Sequence, residues 1–263
     1  MKNIAIVSAR MGSNRFPGKV MTDLWDGKPV LQILIERLKL SKKIDKIVVT
    51  TTPEENNNPI IKLCFDLGID FVYGHKEEAL QSVCEAVKQQ RIIEADELNV
   101  IDITGDCPFI DPFQIDEMLT EFVCKGYHYL SNCMVRSFPI GFDIQIYRDS
   151  LLILVNEIVK NKSHRVHSGW NIWAYSSVIQ KNDTYGYVRP LKFGNIVADE
   201  KYNYPDWRVV LDYPEDLKLL KILIGSFARI NFTYQEIIDF LKVNPELLKI
   251  NINCKQKIPG KDE

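Results

Sequence analysis

In the first half of the chain, short β-branched runs alternate with segments whose apolar residues are spaced as on a helix. This alternation constrains the fold more than any other feature. Strands are predicted over Asn3–Val7, Lys46–Thr51, Asp70–Tyr73 and Asn99–Ile103. Helices are predicted over Val30–Leu40, Pro59–Leu67, Ala79–Gln90 and Pro112–Cys124, where apolar residues recur three and four apart. The strand runs are almost continuously apolar, as in strands buried on both faces. Such a pattern predicts a parallel sheet with right-handed crossovers, a Rossmann-like α/β three-layer sandwich.

The pattern changes after about Gly126. Tyr127–Cys133, Gly141–Tyr147 and Gly186–Phe193 read as strands, and Ser150–Asn161 as a helix. Residues 127–195 are expected to form a small antiparallel insertion within a single domain spanning 1–263, covering the site and carrying a homodimer contact. Pro205–Leu211 returns to strand character. Pro214–Phe227 reads as a helix with Pro214 in its first turn and Glu215 and Asp216 where the dipole favours acids. Thr233 and Glu236 form a capping-box pattern for a last helix. The polar tail from about Asn251 is expected to fray.

The 263 residues, 46% hydrophobic and 26% charged, suffice for one large α/β core. A net charge of −2 argues against a nucleic-acid surface. No apolar run approaches the roughly 20 residues of a membrane helix, and the start MKNIAIVSAR is too short in apolar residues for a signal-peptide core. The six cysteines form no CxxC pair, so reduced thiols in a cytoplasmic protein are expected rather than zinc or disulfides.

The segment Ala9-Arg10-Met11-Gly12-Ser13-Asn14-Arg15-Phe16-Pro17-Gly18-Lys19 follows the first strand. Ligands of parallel sheets gather at the carboxyl ends of the strands, where this loop lies. Binding a triphosphate calls for cations and backbone N–H donors. Arg10, Arg15 and Lys19 supply the cations, and Gly12 and Gly18 let the backbone come close. Neither GxxxxGK[ST] nor GxGxxG is present. The competing reading is a surface loop that happens to be basic.

Asp106, in Thr104-Gly105-Asp106-Cys107-Pro108, ends the fourth strand candidate, and Asp212 ends the run Val209-Val210-Leu211. Magnesium takes one or two carboxylates together with phosphate oxygens and water, so this pair suffices for Mg²⁺. The alternatives are an Asx turn at Asp106 and a helix N-cap at Asp212. Asp111 and Asp216 read as caps. Arg208 is expected to face phosphates or pair with a carboxylate. Trp170 and Trp173 read as packing residues.

SARMGSNRFPGK resembles the [ILV]-x-A-R-x-x-S-x-R-x-P-G-K signature of cytidylyltransferases of the spore-coat polysaccharide type. These are related to CMP-3-deoxy-manno-octulosonate synthetase and the acylneuraminate cytidylyltransferases. ITGDCPFIDP is similar to that family's TGDCPL-x-DP, and RVVLDYPEDLKLL to its R-L-T-V-D-T-x-E-D-L. The resemblance implies a nucleotide-diphospho-sugar transferase fold. It also implies nucleotide contacts from Ala9, Arg10, Gly12, Ser13, Arg15, Lys19 and Thr104, with Mg²⁺ on Asp106 and Asp212. Catalysis would rest on Arg10, Arg15, Lys19, Asp106 and Asp212. The family's P-D-G-[LF]-D-[VA]-E and R-E-H-V-T segments match Pro139–Gln145 and Arg165–Gly169. This implies that Gly141, Asp143, Arg165 and His167 meet the acceptor, and the basic loop His164–His167 suits a carboxylate or phosphate there. A solvated loop is the alternative. Ile140, Gln145, Val166 and Asp102 depart from the family pattern, as does Gly74–Val83, which lacks the aspartate and arginine of GxxxDVLxRY.

The expected reaction is Mg²⁺-dependent transfer of CMP from CTP to a sugar or sugar-acid acceptor with release of pyrophosphate, in bacterial surface polysaccharide biosynthesis. Two alternatives are a nucleotide-sugar glycosyltransferase and a nucleotide-binding protein with lost or altered catalysis. The first would use a DxD motif, but Asp102 and Asp106 lie four apart.

Overall fold

A computed structural model describes residues 1–94, 97–181 and 191–256. Seven strands form one sheet: β1 (Lys2–Ser8), β4 (Lys46–Thr51), β5 (Asp70–Tyr73), β6 (Leu98–Thr104), β7 (Tyr129–Ser131), β8 (Gln145–Arg148) and β9 (Phe193–Asn195). Their order is β5-β4-β1-β6-β8-β7-β9. The left half, β5-β4-β1-β6, is wholly parallel, as the apolar runs predict. β8 runs antiparallel to both β6 and β7, and β9 lies parallel to β7. A separate hairpin, β2 (Asp23–Trp25) with β3 (Lys28–Pro29), makes the small antiparallel sheet.

Alternation along β1 and β6 sorts the core into two layers. Ala5, Val7, Ile101 and Ile103 face one side, where they meet α1 (Val30–Leu38), α2 (Asn58–Leu67) and α4 (Pro112–Cys124). Ile4, Ile6, Leu98 and Val100 face the other, against α3 (Ala79–Glu94), α5 (Asp149–Ile158) and α6 (Trp170–Ala174). Neighbouring residues on a strand point to opposite faces, so these continuous runs fill both layers at once. A third cluster joins β2 to α8 (Pro214–Phe227) and α9 (Tyr234–Val243). The short helix α7 (Ser176–Lys181) follows α6. Among the described residues, no helix is long and apolar enough to cross a membrane.

Beyond Gly126, strands β7, β8 and β9 extend the main sheet with antiparallel pairing at β8, because Ile144 and Ile146 continue its apolar face. The expected strand Gly186–Phe193 lies largely outside the described residues. Pro205–Leu211 forms no strand: a single parallel bridge, Ile140 to Arg208, holds it. Backbone bonds from Ile140 to Trp207, from Val209 to Ile140 and from Leu211 to Asp106 suspend it between two loops. This extended segment carries Arg208 and leads into Asp212.

Candidate active site

The loop after β1 is clamped at its neck by one carbonyl. Met11 O accepts from Ser13 N and Gly18 N, both at 2.9 Å, and Met11 N donates to the buried Asn57 Oδ1 at 2.8 Å. Gly18 has φ +73°, a left-handed conformation that side chains disfavour, and it turns the chain directly into Lys19. At Gly12 a Cβ would meet no protein atom within 4 Å, so the space beside its backbone is open.

Lys19 Nζ lies 2.5 Å from Asp106 Oδ2 and 2.7 Å from Asp212 Oδ1. Arg15 Nη2 reaches the same Asp212 oxygen at 2.6 Å, and Arg208 Nη2 takes Asp212 Oδ2 at 2.8 Å. Burial opposes the charge on Lys19, but Asp106 and Asp212 more than offset it and hold the ammonium pKa above its usual value. Burial likewise works against the Asp212 carboxylate, yet Lys19, Arg208 and Arg15 pull its pKa below the usual range. Arg208 is pinned in turn by Asp216, with Nε 2.9 Å from Oδ1 and Nη2 3.0 Å from Oδ2. Asp216 also caps α8, accepting from Asp212 N and Tyr213 N.

The same site collects a row of hydroxyls. Ser8 is in register with Thr50 on one side and Thr104 on the other, at the carboxyl ends of β1, β4 and β6. Among the described residues, the hydroxyls of Ser8 and Thr50 are buried without a hydrogen-bond partner. Thr104 Oγ1 lies 3.2 Å from Cys107 Sγ. Ala9 N bonds Thr50 O at 2.9 Å and carries the chain off the sheet.

Arg15, Lys19, Asp106 and Asp212 therefore form one ionic cluster. Arg10 does not join it: this exposed side chain donates to Lys76 O, on the loop after β5. Ser13 stays within its own turn, its Oγ accepting from Phe16 N at 3.4 Å. Sequence reasoning left open where Arg208 points and treated Asp216 as a cap alone. Asn57, which holds Met11 N, lies between the predicted strand Lys46–Thr51 and helix Pro59–Leu67, and no motif marks it.

The residues expected at the acceptor are committed to protein contacts. All five N–H donors of Arg165 are engaged, by Glu78 Oε2, Gln81 Oε1, Asn156 Oδ1 and the carbonyls of Asn156 and Val159. In this structure Arg165 therefore ties the 163–169 loop to the ends of α3 and α5. Asp143 forms a bidentate pair with Arg136 at 2.7 and 2.9 Å. Gly141, with φ +112°, lets its loop lie against the suspended segment, since a Cβ would come within 2.7 Å of Val209 C. Its role is close approach of backbones, in a place that steadies Arg208. His167 packs edge-on against Trp170, at 5.7 Å between ring centroids. The carboxyl of Asp102 accepts from Ser168 Oγ at 2.6 Å, Gly169 N at 3.0 Å and Tyr147 OH at 3.0 Å. Burial pushes the Asp102 pKa up despite these bonds. The departure at Asp102 thus fastens the 163–169 loop to the sheet. Gln145, another departure, accepts from Tyr129 OH at 2.8 Å.

A model of the cytidylyltransferase family matches residues 4–155, more than half of the chain, including the whole of the loop after β1 and the first aspartate segment. The chain belongs to the cytidylyltransferase family. A solved cytidylyltransferase from Leptospira borgpetersenii superposes with a TM-score of 0.82 at 28% identity, covering 98% of this chain and 99% of that one. An uncharacterised protein of Methanocaldococcus jannaschii is 31% identical over 98% of this chain and 97% of its own. The spore coat polysaccharide biosynthesis protein SpsF of Bacillus subtilis is 29% identical over 92% and 94%. This cytidylyltransferase-family chain is a nucleotidyltransferase.

Proposed function

We propose that this nucleotidyltransferase moves the cytidylyl group of CTP onto an oxygen of a sugar-type acceptor, releases pyrophosphate, and uses Mg²⁺. The observation that carries the reading is the convergence of Arg15, Lys19 and Arg208 on Asp106 and Asp212, beside a row of strand-end hydroxyls. The choice of CTP rests on the family, and the polysaccharide setting on the printed name of SpsF.

In the reaction, the acceptor oxygen forms a bond to the α-phosphorus as the bond to the bridging oxygen of the β-phosphate breaks. The bond pair leaves with pyrophosphate, and a hydroxyl acceptor gives its proton to solvent. Positioning and charge neutralisation supply the rate enhancement, and no covalent enzyme intermediate is required. Arg15 and Lys19 neutralise the departing charge. Without ligand, their partners are the two carboxylates; with it, charged phosphate oxygens become the stronger acceptors. Arg208 stays on Asp216 and keeps Asp212 in place.

Asp106 and Asp212 are the residues that would hold Mg²⁺. One ammonium already touches an oxygen of each, so both lie within reach of a single cation, and a hard, oxygen-only donor set suits this metal. Magnesium shares its coordination with phosphate oxygens and water, so two carboxylates suffice. When bound, Mg²⁺ would supply Lewis-acid stabilisation of the phosphoryl charge and acidify an attacking hydroxyl.

A pyrophosphate-release screen of the four nucleoside triphosphates against sugars, sugar acids, amino sugars and phosphorylated sugars, with Mg²⁺, tests this function. Release with CTP is expected. Activity confined to UTP or GTP overturns the base assignment. Binding of CTP without turnover across the panel overturns catalysis.

A further inference from the structure

The far end of the chain reaches back into the ionic cluster. Asn251, only 5% exposed, donates through Nδ2 to Arg208 O at 3.1 Å and to Asp216 Oδ1 at 2.8 Å. Cys254 N bonds Asn251 O at 3.0 Å and turns the chain. Lys255 O then accepts from Tyr213 OH at 3.3 Å and Arg15 Nη1 at 3.5 Å, and Gln256 Oε1 from Arg208 Nη1. The Tyr213 ring lies against both guanidiniums, with centroid distances of 5.3 Å to Arg15 and 5.8 Å to Arg208. The expectation of a frayed tail fails over this stretch.

We propose that the C-terminal segment 251–256 belongs to the transfer site, with Asn251 as the positioning residue for Arg208 and, through Asp216, for Asp212. This rests on the nucleotidyl-transfer reading above. Arg208 sits in the suspended segment, outside any strand, so no sheet ladder fixes it. A carboxamide is apt because one NH₂ group has two donors, one for the Arg208 carbonyl and one for Asp216. Asp216 Oδ1 is shared by Asn251 and Arg208 Nε, and its Oδ2 by Arg208 Nη2 and the backbone at Asp212 and Tyr213. A shift at Asn251 therefore moves both ends of the Arg208–Asp212 pair. The root engages no donor that a phosphate needs. The tip offers only neutral acceptors to Arg15 and Arg208, which a charged phosphate oxygen outcompetes.

The test is a double-mutant cycle in the full-length chain with Asn251→Ala, Arg208→Ala and the pair. Asn251→Ala is expected to lower kcat about tenfold, as loss of an outer-shell partner does, with KM for CTP changed less than threefold. In the Arg208→Ala background the loss should be clearly smaller, leaving only the route through Asp216 to Asp212. Asn251→Ser, which keeps one donor, should fall between wild type and Asn251→Ala. Equal losses in both backgrounds, or an unchanged kcat in Asn251→Ala, overturn the proposal. If the wild-type chain turns over no nucleotide, the transfer reading fails on its own. The same cycle is then read by calorimetry on inorganic tripolyphosphate, where additive losses again overturn the positioning role and a non-additive loss supports it.

Discussion

Two polar networks in this molecule use arginine in opposite ways. At the carboxyl ends of β1 and β6, Arg15 and Lys19 meet Asp106 and Asp212, charge against charge, in a cluster open on one side: the Arg15 side chain is 26% exposed and Asp106 21%. In the 163–169 region, Arg165 has every donor filled by a carboxylate, two amide oxygens and two carbonyls at the junction of α3 and α5. The first network can exchange partners, because a ligand that brings both phosphate and a cation satisfies every group it separates. The second has nothing to gain from a ligand. Basic residues close together in sequence mark both, and only the count of filled donors tells a site from a fastening.

The sharpest break in this comparison is Lys19→Met. It removes the cation shared by both aspartates, and kcat/KM for pyrophosphate release should fall about 10³-fold, the upper range for losing one electrostatic donor. Arg208→Lys keeps the charge but loses the fork that spans Asp212 and Asp216, and a fall of about tenfold to a hundredfold is expected in the same assay. Arg165→Ala should act on the other axis. Urea unfolding should show a loss of about 2 kcal/mol from several charge-assisted bonds, with kcat/KM within about threefold of wild type. A large activity loss without destabilisation would reverse the assignment of the two networks.

Protonation separates them further. The Asp212 pKa is lowered in the fold, so its contribution to stability is present above the unfolded value and lost as pH falls through the folded one. The Lys19 pKa is raised, so its contribution is full below the unfolded value and lost as pH rises through the folded one. Removing Lys19 should therefore move the acid-side loss of stability to higher pH, measured by unfolding across a pH series. Asp102 has the opposite sign for an acid: burial raises its pKa, so stability declines as pH rises from the unfolded value through the raised one. Asp102→Asn retains an acceptor for Ser168 and Gly169 and should flatten that decline, the smallest of these effects.

The sheet was legible because its signals are local. Lys46–Thr51, Asp70–Tyr73 and Pro112–Cys124 have the predicted bounds, and the Thr233–Glu236 capping box is formed. Pro205–Leu211 misled because Val209 and Leu211 face the third core cluster and Val210 the first from an extended segment, and apolar content alone does not report ladder bonds. At the site, Arg15, Lys19 and Asp106 could be picked out on the segments that follow β1 and β6, and Asp212 by its place at the end of an apolar run. The partners of Arg165 and the hold of Asn251 on Arg208 could not, because they join residues brought together only by packing. A polar tail and a basic loop look alike in sequence whether they are solvated or locked.

The most direct measurement is the rate of pyrophosphate release from CTP and Mg²⁺, with an acceptor found active in the screen, for wild type, Lys19→Met and Arg165→Ala side by side. The partner-exchanging cluster predicts that Lys19→Met loses almost all activity while Arg165→Ala keeps it. An active Lys19→Met, or an Arg165→Ala that stays folded but inactive, would contradict it.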